Sequence, residues 1–292
     1  MAYPSYIIDR AKSMVGSNIA VTSFLPGELM EFFNDAVDCL VSEGRNRFPM
    51  LGAVETTITQ VSGTTSQTWP ADFDRFLRMR HAAQNWNSYP VPVLSELFSG
   101  LAFSDTKVYW VNQDANNSWT LLYTFKPVRC HAGTAGTIAG TTDAPTMVLA
   151  TDGAATTTGK VWPFADFYNR AQILITSATT GAWQRMTVED CAAGSPPTVT
   201  FSGAWPDVAP TGTVTYEVVP MIDPQRWEAL LAMETANRIM GIQERRGLTQ
   251  DPRSAYTAEL RRWTSHWTHM NQGPLGSMRP CPVLEAHAGY GG

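Results

Sequence analysis

The stretch Asp223 to Asn271, DPQRWEALLAMETANRIMGIQERRGLTQDPRSAYTAELRRWTSHWTHMN, predicts two helices joined by a short turn. Each helix begins with an Asp-Pro pair, Asp223-Pro224 and Asp251-Pro252, in which Asp caps the helix and Pro fits its first position. Gly247 lies where the first helix is expected to end. The second helix has large apolar side chains at helical spacing, which predicts an αα-hairpin with an aromatic seam: Tyr256, Leu260, Trp263 and Trp267.

Residues 26–43 predict a further helix near the N-terminus. Its apolar side chains recur at helical spacing from Leu29 to Leu40, and Gly44 is expected to end it. A helix with a single apolar stripe cannot bury that stripe alone. We therefore expect this helix and the two helices of the hairpin, 224–246 and 252–270, to pack on one another as a helical frame.

Between these helices, short segments rich in Val, Thr and aromatic residues predict strands. The first group comprises 53–61, 75–81 and a hairpin formed by 108–111 and 119–125. The tract 133–142 predicts a linker or a long loop. From His131 to Pro220 Thr is abundant and charges are sparse, and five strands are expected: 146–150, 171–177, 183–189, 197–202 and 213–219.

The sequence thus predicts an α+β fold, in which a helical frame (an N-terminal helix plus a C-terminal helical hairpin) carries a large inserted β-sandwich or barrel-like module. Residues 1–130 hold the N-terminal helix and a first β region, and 131–220 form the Thr-rich β module. Residues 221–271 form the hairpin that packs with 1–130. Residues 272–292 are an extended C-terminal arm, because Pro and Gly exclude a helix there.

Composition narrows the classes of function. The 292 residues carry a net charge of −5, which disfavours a general nucleic-acid binder, since phosphate neutralisation needs a cationic surface. The sequence contains no run of about 18 apolar residues, so it predicts no membrane-spanning helix. The four cysteines form no C-x-x-C zinc or redox motif, and free thiols indicate assembly inside a cell: Cys39, Cys130, Cys191 and Cys281.

Candidate catalytic and metal-binding residues are few. Two pairs of neighbouring acids are candidates for acid–base chemistry, although such pairs are more typical of turns and surfaces: Asp72 with Asp74, and Glu189 with Asp190. His266 and His269 lie i, i+3 on a predicted helix but have no third metal ligand at suitable spacing. No nucleophile elbow or phosphate-binding glycine loop is present. We expect no enzymatic activity, no metal and no cofactor.

Five arginines lie close to acidic residues in the sequence: Arg45, Arg47, Arg75, Arg78 and Arg80. Contact with phosphate is one explanation. Because Asp72 and Asp74 adjoin the last three arginines, internal or intersubunit salt bridges are favoured instead. These arginines are candidates for intersubunit contacts.

Three segments resemble the phage head-to-tail adaptor family (tail tubular protein A-like, or head-tail connector). They are Glu28–Phe48 (ELMEFFNDAVDCLVSEGRNRF), Trp69–Met79 (WPADFDRFLRM) and Val219–Trp263. The order of helix, strand, W-P-x-D-F loop, β insertion and helical hairpin is similar too, although the insertion is long for such an adaptor. The resemblance implies a non-enzymatic virion protein at the head–tail junction, assembled in the host cytoplasm.

The same resemblance implies partners. The chain would form a homo-oligomeric ring, usually a dodecamer, between the portal protein and a tail nozzle or tube protein, closed by heterologous contacts. Twelve copies at −5 each carry about −60, so double-stranded DNA would pass during genome ejection without specific binding. The C-terminal arm would extend into the portal through its apolar and proline residues: Leu275, Met278, Pro280, Pro282, Val283, Leu284 and Tyr290.

The alternative function is a carbohydrate-binding or hydrolytic tail component that uses the β module. Aromatic rings stack on sugars, and four tryptophans in the β-rich part are candidates for such a surface: Trp86, Trp110, Trp119 and Trp205. Packing in cores and interfaces is the other explanation for these side chains.

Overall fold

The computed structural model describes most of the chain up to Glu244. The described residues are 3–15, 24–47, 50–81, 87–88, 101–104, 106–110, 116–135, 137–140, 144–177, 181, 183–210, 214–220 and 224–244. The second helix of the predicted hairpin (252–270) and the C-terminal arm (272–292) lie outside these ranges.

Three helices occur in the described residues and share one apolar core: α1 (Pro4–Val15), α2 (Pro26–Arg47) and α3 (Pro224–Glu244). Ile7 of α1, Phe33 of α2 and Leu231 of α3 are buried in it together. α3 runs antiparallel to α2, because Trp227 lies against Gly44 whereas Arg238 lies 3.9 Å from Asp35. The helical frame as a whole stays a prediction, since its last helix is outside the described part.

Gly44 does not end α2, contrary to the expectation from sequence. The helix continues to Arg47. A Cβ at Gly44 would lie 2.7 Å from Leu51 Cδ2 and 3.0 Å from the Trp227 ring. The glycine is therefore needed for close packing rather than as a helix stop.

The first β region consists of two antiparallel sheets. One has the order β1 (Ala53–Gln60), β7 (Asn117–Phe125), β3 (Phe73–His81), β4 (Asn87–Ser88); the other has the order β2 (Ser66–Thr68), β6 (Lys107–Trp110), β5 (Leu101–Phe103). The predicted hairpin of 108–111 with 119–125 is wrong, because β6 pairs with β2 and β5 while β7 pairs with β1 and β3. Tryptophan packing joins the sheets: the rings of Trp110 and Trp119 stack at 6.0 Å.

The second β region is a seven-stranded antiparallel sheet. Its order is β8 (Ala132–Thr134), β14 (Val214–Val219), β11 (Gln172–Ser177), β12 (Trp183–Ala192), β13 (Thr198–Phe201), β10 (Thr146–Val148), β9 (Thr137–Ala139). β8 and β9 are the two ends of this order, yet only two residues separate them in the chain. The ends of the sheet must therefore meet, as in a small barrel. We call residues 131–220 the barrel module.

The tract 133–142 contains β8 and β9, so it is not simply a linker or a long loop as expected. The other five strands of the barrel module occur where the sequence predicts them, with bounds differing by a few residues. Side chains fill the barrel interior, among them Tyr168, Ile173 and Phe201. The α+β class and the β-rich module are thus confirmed.

Candidate functional site

Several charged residues lie at the contacts, here called seams, between the helices, the first β region and the barrel module. Arg45, near the C-terminal end of α2, is only 4% exposed. Its Nε donates to the Leu51 carbonyl at 3.2 Å, and its guanidinium contacts Asp74 and donates to the Phe125 carbonyl. Burial lowers the pKa of Arg45, and the Asp74 carboxylate opposes that fall. Arg45 therefore fastens α2 to the first β region.

The other predicted intersubunit arginines differ from Arg45. On β3, Arg75 Nε lies 3.8 Å from Asp74 Oδ2 and Arg78 Nη2 lies 3.7 Å from Glu55 Oε1 of β1. Arg75 and Arg80 are exposed. Arg47 has its backbone in α2, and its side chain is outside the described part. An intersubunit role for the five arginines stays a prediction.

Arg129 anchors the loop before the barrel module on the acidic face of α2. Its guanidinium lies 3.1 Å from Glu31, 3.3 Å from Asp35 and 3.2 Å from Asp38. Burial raises the pKa of Asp38, and Arg129 opposes that rise. The i, i+4, i+7 spacing of the three acids places them on one face of a helix, which the sequence shows. The sequence does not show that Arg129, about a hundred residues away, is their partner.

The next residue, Cys130, is held to α2 through Asn34. The Asn34 side chain accepts from the Cys130 N–H at 2.7 Å and donates to the Cys130 carbonyl at 3.0 Å. Both groups are buried, so these bonds fix the backbone where the chain enters the barrel module. Gly159 packs beside them, because a Cβ there would lie 2.8 Å from Met30 Cγ.

Asp72, in the W-P-x-D-F loop, is a structural residue of a second seam. Its Oδ1 accepts from the Tyr123 hydroxyl at 2.9 Å, and its Oδ2 contacts the Arg170 guanidinium of the barrel module. Arg170 also donates to the Tyr123 hydroxyl at 2.8 Å. Burial, with Asp72 adding to it, raises the pKa of Tyr123 to about 12. Both oxygens of Asp72 are thus engaged, which leaves no free carboxylate pair with Asp74.

A buried polar group lies at the start of the barrel module. His131 Nε2 and the Tyr216 hydroxyl are 3.0 Å apart, and that hydroxyl accepts from the Ala150 N–H at 2.8 Å. Burial lowers the pKa of His131 to about 4, so the imidazole is neutral at pH 7. Sequence reasoning missed this residue, because an isolated His gives no signal of burial.

Within the described residues, the other candidate catalytic and metal-binding residues do not form an active site. Glu189 and Asp190 are exposed neighbours on β12. No group of three potential metal ligands occurs within the described ranges. His266 and His269 lie outside those ranges. None of the described helices is both long and apolar enough to cross a membrane.

The tryptophans suggested as a sugar platform are mostly interior. Trp110, Trp119 and Trp205 are each less than a tenth exposed and belong to the cores of the two β regions. They cannot stack on a sugar, and core packing explains all three. Trp86 lies outside the described residues.

In the part of the chain that the structure describes, charged groups join the helices, the first β region and the barrel module to one another. Comparison with known families gives the class: the model of the SU10 adaptor protein family matches residues 5–169, more than half of the chain. The chain belongs to this family, and it is therefore a phage adaptor protein. The predicted resemblance to phage adaptors is confirmed. A search of curated proteins found no match.

The matched range runs from α1 to the turn that carries Asn169. It includes two of the three segments that resemble adaptors, Glu28–Phe48 and Trp69–Met79, and ends before the third. It also contains Arg45, Arg129 and Asp72, the residues that fasten α2 and the first β region at the seams.

Proposed function

We propose that this phage adaptor is a head-to-tail connector: a ring of twelve copies between the portal protein and a tail nozzle or tube protein, which extends the DNA channel. The family match over residues 5–169 carries the proposal. The ring is non-enzymatic and needs no cofactor. It is a virion component that assembles in the host cytoplasm.

The described seams support a rigid protomer, which a ring between two larger assemblies requires. Arg45 joins α2 to the first β region, Arg129 joins α2 to the loop before the barrel module, and Arg170 joins the barrel module to Asp72. The three layers are therefore tied to one another by charge-assisted contacts over partly buried surface. Such a protomer transmits the position of the portal to the tail side without internal rearrangement.

Charge supports passage of DNA rather than its capture. A ring of twelve chains at −5 each has a formal charge of about −60, which is unfavourable for tight binding of phosphates. The acidic face of α2, with Glu31, Asp35 and Asp38, is partly offset by Arg129. DNA then slides through the lumen without specific contacts.

The exposed arginines of β3 are the proposed intersubunit charges. A heterologous ring contact needs two different complementary patches on each copy. Arg75 and Arg80 supply a basic strip on β3, whose backbone is fixed by pairing with β7. We assign the intersubunit contacts of the ring to this strip.

The test is assembly with the portal protein of the same phage. The purified chain alone is expected to sediment as a small species, and to form twelve-membered rings on portal in electron micrographs. Arg80→Glu is expected to reduce ring formation several-fold, because it reverses a charge on the strip. Lys12→Glu on α1 is the matched charge reversal and should assemble normally. If the chain does not bind the portal protein but binds glycan, that result would favour the carbohydrate-binding alternative instead.

A further inference from the structure

A groove on the barrel module has an aromatic and proline lining. It has a volume of about 260 Å³ and lies between residues 152–164 and 194–197. Five of its lining residues are aromatic residues or prolines: Trp162, Pro163, Phe164, Pro196 and Pro197. Phe164 is 56% exposed, although it belongs to a module with a complete core of its own. The core of the barrel module therefore does not explain why this ring lies at the surface.

Hydrogen bonds hold both walls of the groove in place. The Trp162 N–H donates to the Tyr168 hydroxyl at 2.9 Å, and the Gly194 N–H donates to the Pro163 carbonyl at 3.2 Å. The Leu149 N–H donates to the Pro197 carbonyl at 3.0 Å, which ties the second wall to the barrel. The groove is thus formed before any ligand arrives, which lowers the entropic cost of binding.

The two aromatic rings are spaced for an extended ligand. The centroids of Trp162 and Phe164 are 5.9 Å apart, with the rings inclined by 28°. A polyproline II helix rises about 3.1 Å per residue, so prolines at positions i and i+2 are about 6 Å apart along its axis. Aromatic grooves of this type bind proline-containing peptides because such peptides lose little entropy on ordering.

One acidic and one basic side chain lie in the groove. Asp152 Oδ1 accepts from the Val161 N–H at 3.0 Å, which fixes the carboxylate. Lys160 Nζ lies 4.2 Å from the centre of the Trp162 ring. A matching peptide would therefore carry a base and an acid on either side of its prolines.

The chain itself contains such a segment beyond α3: Arg279-Pro280-Cys281-Pro282-Val283-Leu284-Glu285. It has two prolines at i and i+2, a base before them and an acid after them. A second Pro-x-Pro sequence, Pro90-Val91-Pro92, has no basic residue beside it. About 35 residues separate Glu244, at the end of α3, from Arg279, and at roughly 3.3 Å each they can span up to ~115 Å.

We propose that the segment Arg279–Glu285 binds in this groove as a polyproline II strand. Pro280 and Pro282 lie against Phe164 and Trp162, Arg279 lies beside Asp152, and Glu285 lies beside Lys160. The free chain thus carries its C-terminal arm on the barrel module. This inference concerns the protein before assembly and does not depend on the proposed ring.

The native Cys281, between the two prolines, provides the test in the full-length chain. Ser195 is an exposed residue of the groove, and Ser195→Cys places a second thiol there. A disulfide forms only when two Cα atoms come within about 7 Å, with oxidised glutathione accepting the two electrons. We expect an intramolecular disulfide between residues 195 and 281, identified by mass spectrometry of non-reduced peptides, in most of the protein.

Ser202→Cys is the matched control, because Ser202 is equally an exposed serine of the barrel module and does not line the groove. Cys130 and Cys191 are buried and do not compete. Arg279→Ala combined with Ser195→Cys should lower the yield of the disulfide several-fold. Equal yields from positions 195 and 202, or none from either, would overturn the proposal.

Hydrogen exchange on the chain without added cysteines gives an independent measurement. Amides of residues 160–162, 164 and 194–195 should exchange at least several-fold faster in the Pro280→Ala/Pro282→Ala variant than in the unaltered chain. Unchanged exchange would contradict the proposal. Protection of the same amides by added oligosaccharide, with no effect of the proline substitutions, would assign the groove to glycan instead.

Discussion

The carboxylate of Glu217 on β14 accepts two hydrogen bonds from Ser5 at the start of α1, from the backbone N–H at 3.1 Å and from the hydroxyl at 2.6 Å. The two residues are 212 positions apart in the sequence. Glu217 therefore acts as a helix cap supplied by a strand, since the first N–H groups of a helix have no partner within it. This contact attaches the first helix to the barrel module.

Replacing Glu217 by Ala is expected to lower the free energy of unfolding by about 1–2 kcal/mol, because it leaves the Ser5 donors of α1 without their acceptor. Urea unfolding followed by tryptophan fluorescence measures the change. Glu217→Gln keeps one acceptor oxygen and should cost less. A larger loss with Gln than with Ala would show that the cap does not stabilise the helix.

The Glu217 carboxyl has its own pH dependence. Burial raises its pKa in the folded chain, and the two Ser5 hydrogen bonds oppose that rise. The folded state therefore binds the proton more tightly than the unfolded state, and stability falls as pH rises from the unfolded pKa through the folded one. Glu217→Gln should remove this part of the pH profile.

Trp227→Ala is expected to lower the free energy of unfolding by roughly 3–5 kcal/mol, because the ring fills the core between α2 and α3. Trp183→Ala is the control: its ring is at the surface, stacked on Tyr3 at 5.0 Å, and should cost about 1 kcal/mol. Thermal unfolding compares the two. Similar losses would contradict the assignment of this core.

Trp263→Ala is expected to behave like Trp227→Ala if the second hairpin helix packs in the same frame.

Arg45→Met is expected to cost about 3–5 kcal/mol, because it leaves the partly buried Asp74 with only its longer contact to Arg75 and the Phe125 carbonyl without its Arg45 donor. Arg78→Met should cost less than about 1 kcal/mol, since its contact with Glu55 is at the surface and screened by solvent. Chemical denaturation at two salt concentrations tests both. Only the small Arg78 effect should depend on salt.

His131 makes the chain less stable in acid. Its pKa is lowered from 6.5 to about 4, so the unfolded state binds the proton first as pH falls. The stability is complete above about pH 6.5 and decreases toward pH 4, by roughly 3 kcal/mol in all. His131→Gln can still bond Tyr216 but does not titrate. Unfolding measured from pH 4 to pH 7 should show a shallower slope for the variant, and an unchanged slope would exclude His131 as the cause.

Truncation after Asn271 tests the role proposed for the C-terminal arm in the portal. The shortened chain is expected to remain folded, because the three described cores are built from residues that precede the arm. It should no longer co-sediment with portal rings. Full portal binding by the folded, truncated protein would remove the arm from the interface.

Local patterns predicted most of the strands and the helices α2 and α3, since periodicity is a property of neighbouring residues. The sequence did not reveal how strands pair. β6 and β7 look like a hairpin because they are close in sequence, yet each finds its partners elsewhere. The sequence did not predict β8 and β9, which lie in a Gly/Thr tract. Strands of three residues are too short to show an alternation of apolar and polar side chains. Arg129 and Glu217 were missed for the same reason: their partners are distant in the sequence.

The ion pair between Arg10 of α1 and Glu228 of α3 joins residues 218 positions apart. A ribosome adding roughly 5–20 residues per second needs about 10–40 s to make the intervening chain. During that interval α1 and α2 have been synthesised but α3 has not. The apolar faces of α1 and α2 that pack against α3 are therefore exposed to solvent. In a newly made chain, chaperones and proteases thus have most access to α1 and α2. The barrel module can fold before α3 packs against these two helices.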